Sequence, residues 1–177
     1  WDSTGIPWVN PSPNIPSLTS ALLYPALVPF EGSNVSVGRG TATAFQRFGA
    51  PWLNAPAVAK LLEERALAGV RFIAEPFTPD QPGDEKYGGR RIPGVRMEVT
   101  ARERLQASRV GAAILWALHK VHPDSLQLRA TTFDLRMGAD EIREALLGGT
   151  DPDVVIDREI GMVVSWQQRV RKYLLYR

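Results

Sequence analysis

Apolar residues along this chain recur at two different periods, and the periods predict its elements. From Ala55 to Ala68 the residues Val58, Leu61, Leu62 and Leu67 fall on one side of a helix, with Asn54 as N-cap and Gly69 as stop. Val70, Phe72 and Ala74 then alternate with Arg71, Ile73 and Glu75, the two-residue period of a half-buried strand over 70–77 that Pro76 and Pro79 end. Val95, Met97 and Val99 against Arg96, Glu98 and Thr100 predict another strand. Over Glu103 to Val121, the residues Val110, Ile114, Ala117, Leu118 and Val121 form a helical stripe meant for a sheet face, closed by Pro123. Leu126 to Ala130 alternates again and suggests a further strand. Asp140 to Leu147 reads as a short helix ended by Gly148 and Gly149. Glu159 to Leu174 reads as a last, docked helix with Val163, Trp166, Val170, Tyr173 and Leu174 on one face. Trp116 and Trp166 lie on helical stripes and are assigned to the core.

The opening segment follows neither period. Residues 1–29 hold six of the fourteen prolines, at positions 7, 11, 13, 16, 25 and 29, which denies most of this backbone a regular ladder. Such a segment wraps over a domain, and its stiffness lowers the entropy cost of holding Asn10, Ser12 and Asn14 in place. Ser17 caps a short helix over 18–24 stopped by Pro25, and Leu27 to Phe30 is expected as a brief edge strand. The sum is an α+β fold: one compact domain, a small mixed sheet of three or four strands packed with about four helices, and a long proline-rich N-terminal segment. No internal repeat and no low-complexity tract is present.

Composition narrows the function classes. With 177 residues, one core is expected, and 44% apolar against 23% charged residues is ordinary for a folded domain. The pI of 9.2 accompanies a formal net charge of only +2 with acids and bases interspersed, so nucleic acid is not implied. No window approaches the roughly 20 apolar residues of a membrane span, and the N-terminus shows no signal core. The lack of cysteine excludes disulfides, thiol catalysis and thiolate metal sites.

Chemistry concentrates in residues 31–41, Glu-Gly-Ser-Asn-Val-Ser-Val-Gly-Arg-Gly-Thr, which gathers a carboxylate, a guanidinium, an amide, hydroxyls and glycines at 32, 38 and 40. Glycines there permit close backbone approach, and Arg39 between two of them presents a forked, permanently charged donor. A second candidate is the long polar loop over 78–94 with Lys86-Tyr87-Gly88-Gly89-Arg90-Arg91, unusual in length for a compact domain. His119 and His122 stand three apart without a third ligand at metal spacing, so no metal and no cofactor is expected. No Gly-x-Ser-x-Gly elbow exists, and Gly38-Arg39-Gly40-Thr41 matches neither phosphate-binding fingerprint. A glycosidase needs two carboxyl groups; Glu31 is one candidate and no convincing second stands out. Trp8 and Trp52 flank the loop in sequence as possible stacking faces for a sugar.

Several stretches carry a resemblance. Gly5-Ile6-Pro7-Trp8-Val9-Asn10-Pro11-Ser12-Pro13-Asn14-Ile15-Pro16, Leu22-Leu23-Tyr24-Pro25, Glu31-Gly32-Ser33-Asn34, Ser36-Val37-Gly38-Arg39-Gly40-Thr41, Phe45 and Gly49-Ala50-Pro51-Trp52 resemble the bacterial exo-β-N-acetylmuramidase family. Gly69-Val70-Arg71-Phe72, Phe77-Thr78-Pro79, Tyr87, Gly94-Val95, His122-Pro123, Phe133-Asp134 and Arg171-Lys172-Tyr173-Leu174-Leu175-Tyr176 continue it. The resemblance implies removal of terminal, non-reducing N-acetylmuramic acid from peptidoglycan fragments by a two-part protein, in many members exported. Its N-terminal Rossmann-like part carries the catalytic acid, and a C-terminal part closes over it. Residues 1–177 then form the substrate-binding C-terminal domain, with 1–54 as its site-bearing segment, inert alone.

By the same resemblance Asn10, Ser12, Asn14, Glu31, Asn34, Ser36, Arg39, Gly40 and Thr41 line the sugar cleft. Arg39 pairs with the lactyl carboxylate, Glu31 binds hydroxyls or assists the chemistry, and Tyr87 forms the rim. Thr43 and Ala44 stand where the family usually has Arg and Pro. The expected partners are muramyl sugars, the N-terminal part, and a second copy through an exposed interdomain face bearing Trp1 and Trp8. A stand-alone muramyl-binding module and a protein-docking domain are the alternative readings.

Overall fold

Ser17 and Asn54 cap the first two long helices. The Ser17 hydroxyl accepts from Ser20 N–H to open α1 (Leu18–Leu27), and Asn54 Oδ1 accepts from Ala57 N–H at 3.2 Å to open α2 (Ala55–Glu64). Each cap satisfies an amide that the first turn leaves unpaired. A computed structural model describes residues 4–175; Trp1 and Tyr176, both used in the sequence reading, lie outside the described residues. The remaining elements are β1 (Arg47–Gly49), β2 (Val70–Ala74), β3 (Gly94–Val99), α3 (Ala107–Val121), α4 (Ala130–Met137), α5 (Asp140–Leu147) and α6 (Pro152–Val170).

The three strands form one antiparallel sheet in the order β1-β3-β2. Its register pairs Phe48 with Val95, Phe72 with Met97 and Val70 with Val99, which puts these side chains on one face, buried except at the partly buried Val99. Arg71 and Glu98 pair on the opposite face at 2.7 Å. α2 covers the buried face, and the Glu63 carboxylate accepts from Phe72 N–H on the outer edge of β2. α3 is the hub, packing against α1, α2, α5 and α6, with eight buried residues from Val110 to Leu118. Gly111 makes the α1 crossing possible, because a Cβ there would lie 2.8 Å from the Ala26 carbonyl oxygen.

The structure corrects several sequence expectations. α1 does not stop at Pro25. Proline removes one helical N–H, yet Leu23, Ala26 and Leu27 are all buried, and that packing carries the helix to Leu27. The segment expected as an edge strand is instead the end of α1 followed by a 3-10 turn over Val28–Gly32, whose second residue is Pro29, a position where proline fits a helical start. Residues 126–130 make only a single bridge, Leu128 to Ser33, because no strand edge lies beside them and Ala130 begins α4. β1 and α4 were not legible, β1 because three residues show no period.

α6 starts earlier than its apolar stripe suggested and docks only by its first turns, where Val155 and Ile156 are buried. Val163, Trp166, Tyr173 and Leu174 are 50%, 55%, 72% and 55% exposed, so neither the docked terminal helix nor a core role for Trp166 is found. The reason is geometric: a nineteen-residue helix outruns the body it packs on. Trp116 is partly buried against the core as expected.

Candidate functional site

The lead-in is folded on itself and anchored to the domain by Ile15. Ile15 is buried, the Trp8 indole N–H donates to Ile15 O at 3.3 Å, and Ile15 N–H closes a turn on Ser12 O at 2.9 Å. Gln46 Nε2, beside β1, donates to Ser17 Oγ at 3.1 Å and Ser20 Oγ at 3.0 Å, which ties the start of α1 to the sheet. These bonds leave an open cleft of about 340 Å³ lined by Pro11, Ser12, Asn14, Ile15, Ala21, Tyr24, Arg39 and Phe45. Tyr24 meets Phe45 edge to face with ring centroids 4.8 Å apart. Phe45 adopts φ 60°, a conformation rare for a bulky residue and fixed here by complete burial and by its N–H donating to Val37 O at 2.8 Å.

Arg39 is the cation of this cleft. Its Nε donates to Glu31 Oε1 at 2.7 Å, Nη2 joins the same oxygen, and the guanidinium carbon sits 5.5 Å from the Phe45 ring centroid. Among the described residues Nη1 has no hydrogen-bond partner. The other Glu31 oxygen faces Arg136 Nε at 3.5 Å, so both oxygens of this largely buried carboxylate are engaged. Glu31 therefore orients Arg39 and does not line the cleft. Gly40, at φ 75°, accepts from Asp80 N–H at 2.8 Å, and a Cβ there would collide with the Asp80 backbone. The two candidate loops of the sequence are thus stitched together.

Lys86 makes the second stitch. Its Nζ donates to Val35 O at 3.0 Å, Phe30 O at 3.1 Å and Glu31 O at 3.3 Å. Burial, only partly offset by Asp84 and Glu31, pushes this ammonium down to about 8. Tyr87 OH donates to Asn34 O at 2.6 Å, behind the loop and away from the cleft lining. Asn34 clips residues 125–127, donating from Nδ2 to Ser125 O at 2.8 Å and accepting Gln127 N–H at 3.0 Å. Ser36 Oγ is buried and accepts from Gly38 N–H, and Thr41 Oγ1 donates to Gly38 O.

Of the residues predicted for the site, Ser12, Asn14 and Arg39 line the cleft and Asn10 is exposed on the adjoining lead-in. Glu31, Asn34, Ser36, Gly40, Thr41 and Tyr87 build the loop behind it. Trp8 and Trp52 are absent from the lining; the aromatic surface comes from Tyr24, backed by the buried Phe45. Sequence reasoning also missed Arg136 and Arg129, whose Nη2 donates to Glu31 O at 3.0 Å. The local sequence held no signal for either.

Electrostatically the region carries Arg39, Lys86, Arg129 and Arg136 against Glu31 and Asp84, which suits an anionic ligand. Among the described residues the cleft lining holds no carboxyl group, so the acid and base of a glycosidic cleavage are not paired there. His122 Nε2 accepts from Asn54 N–H at 2.8 Å and its ring meets Trp52 edge to face, a structural role at the start of α2. Among the described residues no cluster of three His, Cys, Asp or Glu is placed for a metal ion, and no helix is long and apolar enough to cross a membrane. A larger cavity of about 440 Å³ lies between α2, α3 and α6. Arg65 pairs there with Asp151 and Asp153, and Arg109 with Asp153 and Asp157.

Comparisons with known proteins show the family of the chain. Residues 22–176 match the family described as exo-β-N-acetylmuramidase NamZ, C-terminal. The chain is 33% identical over 177 residues to the peptidoglycan β-N-acetylmuramidase NamZ of Bacillus subtilis, covering 99% of this chain and 42% of that protein. Among solved structures, a DUF1343 family protein from Bacteroides fragilis superposes with a TM-score of 0.87 at 26% identity over 99% of this chain and 47% of its own. A second DUF1343 protein of that organism gives 0.63 at 25% identity over 95% and 44%. The chain thus spans less than half the length of each relative.

Proposed function

The chain belongs to the exo-β-N-acetylmuramidase C-terminal family, and from that membership we propose that it is the substrate-binding part of an enzyme removing terminal N-acetylmuramic acid from peptidoglycan fragments. The observation that carries the reading is Arg39, a cleft cation held by Glu31 with Nη1 uncommitted. Muramic acid differs from other amino sugars of the wall by its lactyl carboxylate, and a guanidinium edge is the matching donor. Ser12 and Asn14 supply polar atoms for sugar hydroxyls and the acetamido group, Asn10 extends that edge, and Tyr24 offers an aromatic wall. Glu31, Asn34, Ser36, Gly40, Thr41 and Tyr87 act by shaping the loop that presents Arg39.

The resemblance implies a general acid in the Rossmann-like half of the whole protein, and a cleft lining without a carboxyl group supports that division of labour. That half closes over the lead-in, where Ile6 and Val9 are exposed. Without it the same face pairs with a second copy, and light scattering across concentration checks this: a constant monomer mass discards the dimer.

The test is an NMR titration with N-acetylmuramyl-β-1,4-N-acetylglucosamine, following protein amides and sugar anomeric signals together. Shifts centred on residues 10–14 and 31–45 without new anomeric peaks are expected. New free-sugar peaks would assign the acid to this chain instead, and equal binding of N,N′-diacetylchitobiose, which lacks the lactyl group, would reject the role given to Arg39.

A further inference from the structure

We propose that Lys86 is a positioning residue of the anion-binding cleft: its ammonium gathers the carbonyls of Phe30, Glu31 and Val35 into one frame and thereby sets, through Glu31, where the Arg39 guanidinium is held. The inference rests on the cleft being the muramyl site. The three carbonyls come from the 3-10 turn over Val28–Gly32 and the bend that follows; Phe30 O also accepts from Ser33 N–H and Ser33 Oγ and Glu31 O from Arg129 Nη2, and Lys86 is the one donor that reaches all three. Three convergent acceptors suit the three N–H donors of an ammonium, and a positive charge is favoured at the C-terminal end of a helical turn. A methionine of similar length offers no donor, and the planar fork of arginine cannot point at three such acceptors.

The charged groups around Lys86 define what happens when it titrates. Asp84 Oδ2 on its own loop lies 3.9 Å away. Glu31 and Arg39 face it from the site loop, and Arg129 from the start of α4 also donates to Glu31 O. Desolvation outweighs the two acids and lowers Lys86 from its ordinary 10.5 to about 8. A neutral amine keeps two N–H donors and turns its lone pair toward a carbonyl oxygen, so one of three bonds is lost and one contact becomes repulsive. The frame around Glu31 then loosens and the Arg39 anchor with it.

Two pH effects of opposite sign follow. The folded state prefers the neutral amine more than the unfolded chain does, so this group's contribution to global stability rises as pH goes from about 8 toward 10.5. Affinity for the anionic sugar falls over the same window, although the lactyl carboxylate stays ionised throughout. A residue that merely supported the fold would move both quantities together.

Calorimetric titration of the chain with N-acetylmuramyl-β-1,4-N-acetylglucosamine from pH about 6.5 to 9.5 reads the effect. The expected result is a loss of about tenfold in affinity across the Lys86 titration, the scale of one hydrogen bond to a charged group. Lys86→Met should bind about tenfold more weakly at neutral pH, with a flat profile. A Lys86→Met profile as steep as that of the parent overturns the proposal. Backbone amide shifts of the unmodified chain, recorded without sugar over the same range, cover the cases in which the variant does not fold or the sugar does not bind. Amides of residues 31–39 should move with the Lys86 midpoint, and amides that stay still through it also overturn the proposal. Failure of the sugar to bind at any pH discards the muramyl reading alone, since the amide titration still decides the role of Lys86.

Discussion

Arg39 Nε donates to Glu31 Oε1 at 2.7 Å, and this pair joins a loop carboxylate to the one cation lining the cleft among the described residues. Both side chains are largely shielded, 23% and 13% exposed, so the pair is better ordered than a surface ion pair. Arg39→Ala is expected to lower affinity for the muramyl disaccharide by about tenfold to a hundredfold, the range for a charged bidentate partner, while leaving chitobiose unchanged. Glu31→Gln keeps an acceptor oxygen for Arg39 and should lose less. Calorimetry with both sugars separates these outcomes, and a loss shared equally by the two sugars would remove Arg39 from carboxylate recognition.

His122 should give the fold an acid sensitivity. Its Nε2 accepts from Asn54 N–H, which requires neutral imidazole, and burial pushes its pKa below the ordinary 6.5. The unfolded chain therefore takes up the proton first. The stability this residue supplies is complete above the ordinary histidine value and is lost as pH falls from there through the lowered folded value. Urea midpoints of the parent should drop between pH about 7.5 and 5.5 more than those of His122→Phe; equal drops would show that other groups carry the effect.

Phe133 and Trp166 should respond oppositely to size and exposure. Phe133 is fully buried and meets Phe30 edge to face at 5.6 Å, which pins α4 and its Arg136 beside Glu31. Phe133→Ala is expected to cost about 3–5 kcal/mol. Trp166 is larger yet 55% exposed on the projecting part of α6, so Trp166→Ala should change stability by less than about 1 kcal/mol. Chemical denaturation of both variants checks the ranking, and a large loss at Trp166 would mean that α6 is covered in solution.

Two helical glycines make a matched pair. A methyl at Gly111 would meet the Ala26 carbonyl at 2.8 Å, whereas one at Gly161 meets nothing within 4 Å. Gly111→Ala should destabilise by about 1–3 kcal/mol, lowering Tm by roughly 3–10 °C. Gly161→Ala should stabilise by about 0.5–1 kcal/mol through helix propensity alone. Differential scanning calorimetry tests both, and a neutral Gly111→Ala would contradict the close α1–α3 crossing.

Much of the framework was legible because it rests on local rules. The Asn54 cap, the stripe of α3 and the alternation in β2 and β3 each need only a dozen neighbouring residues to declare themselves. The Glu31–Arg39 pair of the candidate loop was legible by composition, its members being only eight residues apart. β1 escaped because its meaning lies in the β3 register, and the turn over Val28–Gly32 because Pro29 reads equally as a strand edge or a helical start. The lining residues Tyr24 and Phe45 carried no chemical signal of their own.

The sequence by itself determined an α+β domain, a polar loop that is the candidate site, and the resemblance that membership in the family bears out. Tertiary structure alone decided what each polar group does there. Lys86 reaches Phe30 across 56 residues, Arg129 reaches Glu31 across 98, and Asn34 is clipped to Ser125 across 91. Such partners are selected by how the packed elements bring distant backbone carbonyls and charges together in low dielectric, where each buried polar group must find a bond. Periodicity records which face of an element is buried; it holds no record of which distant group will meet that face.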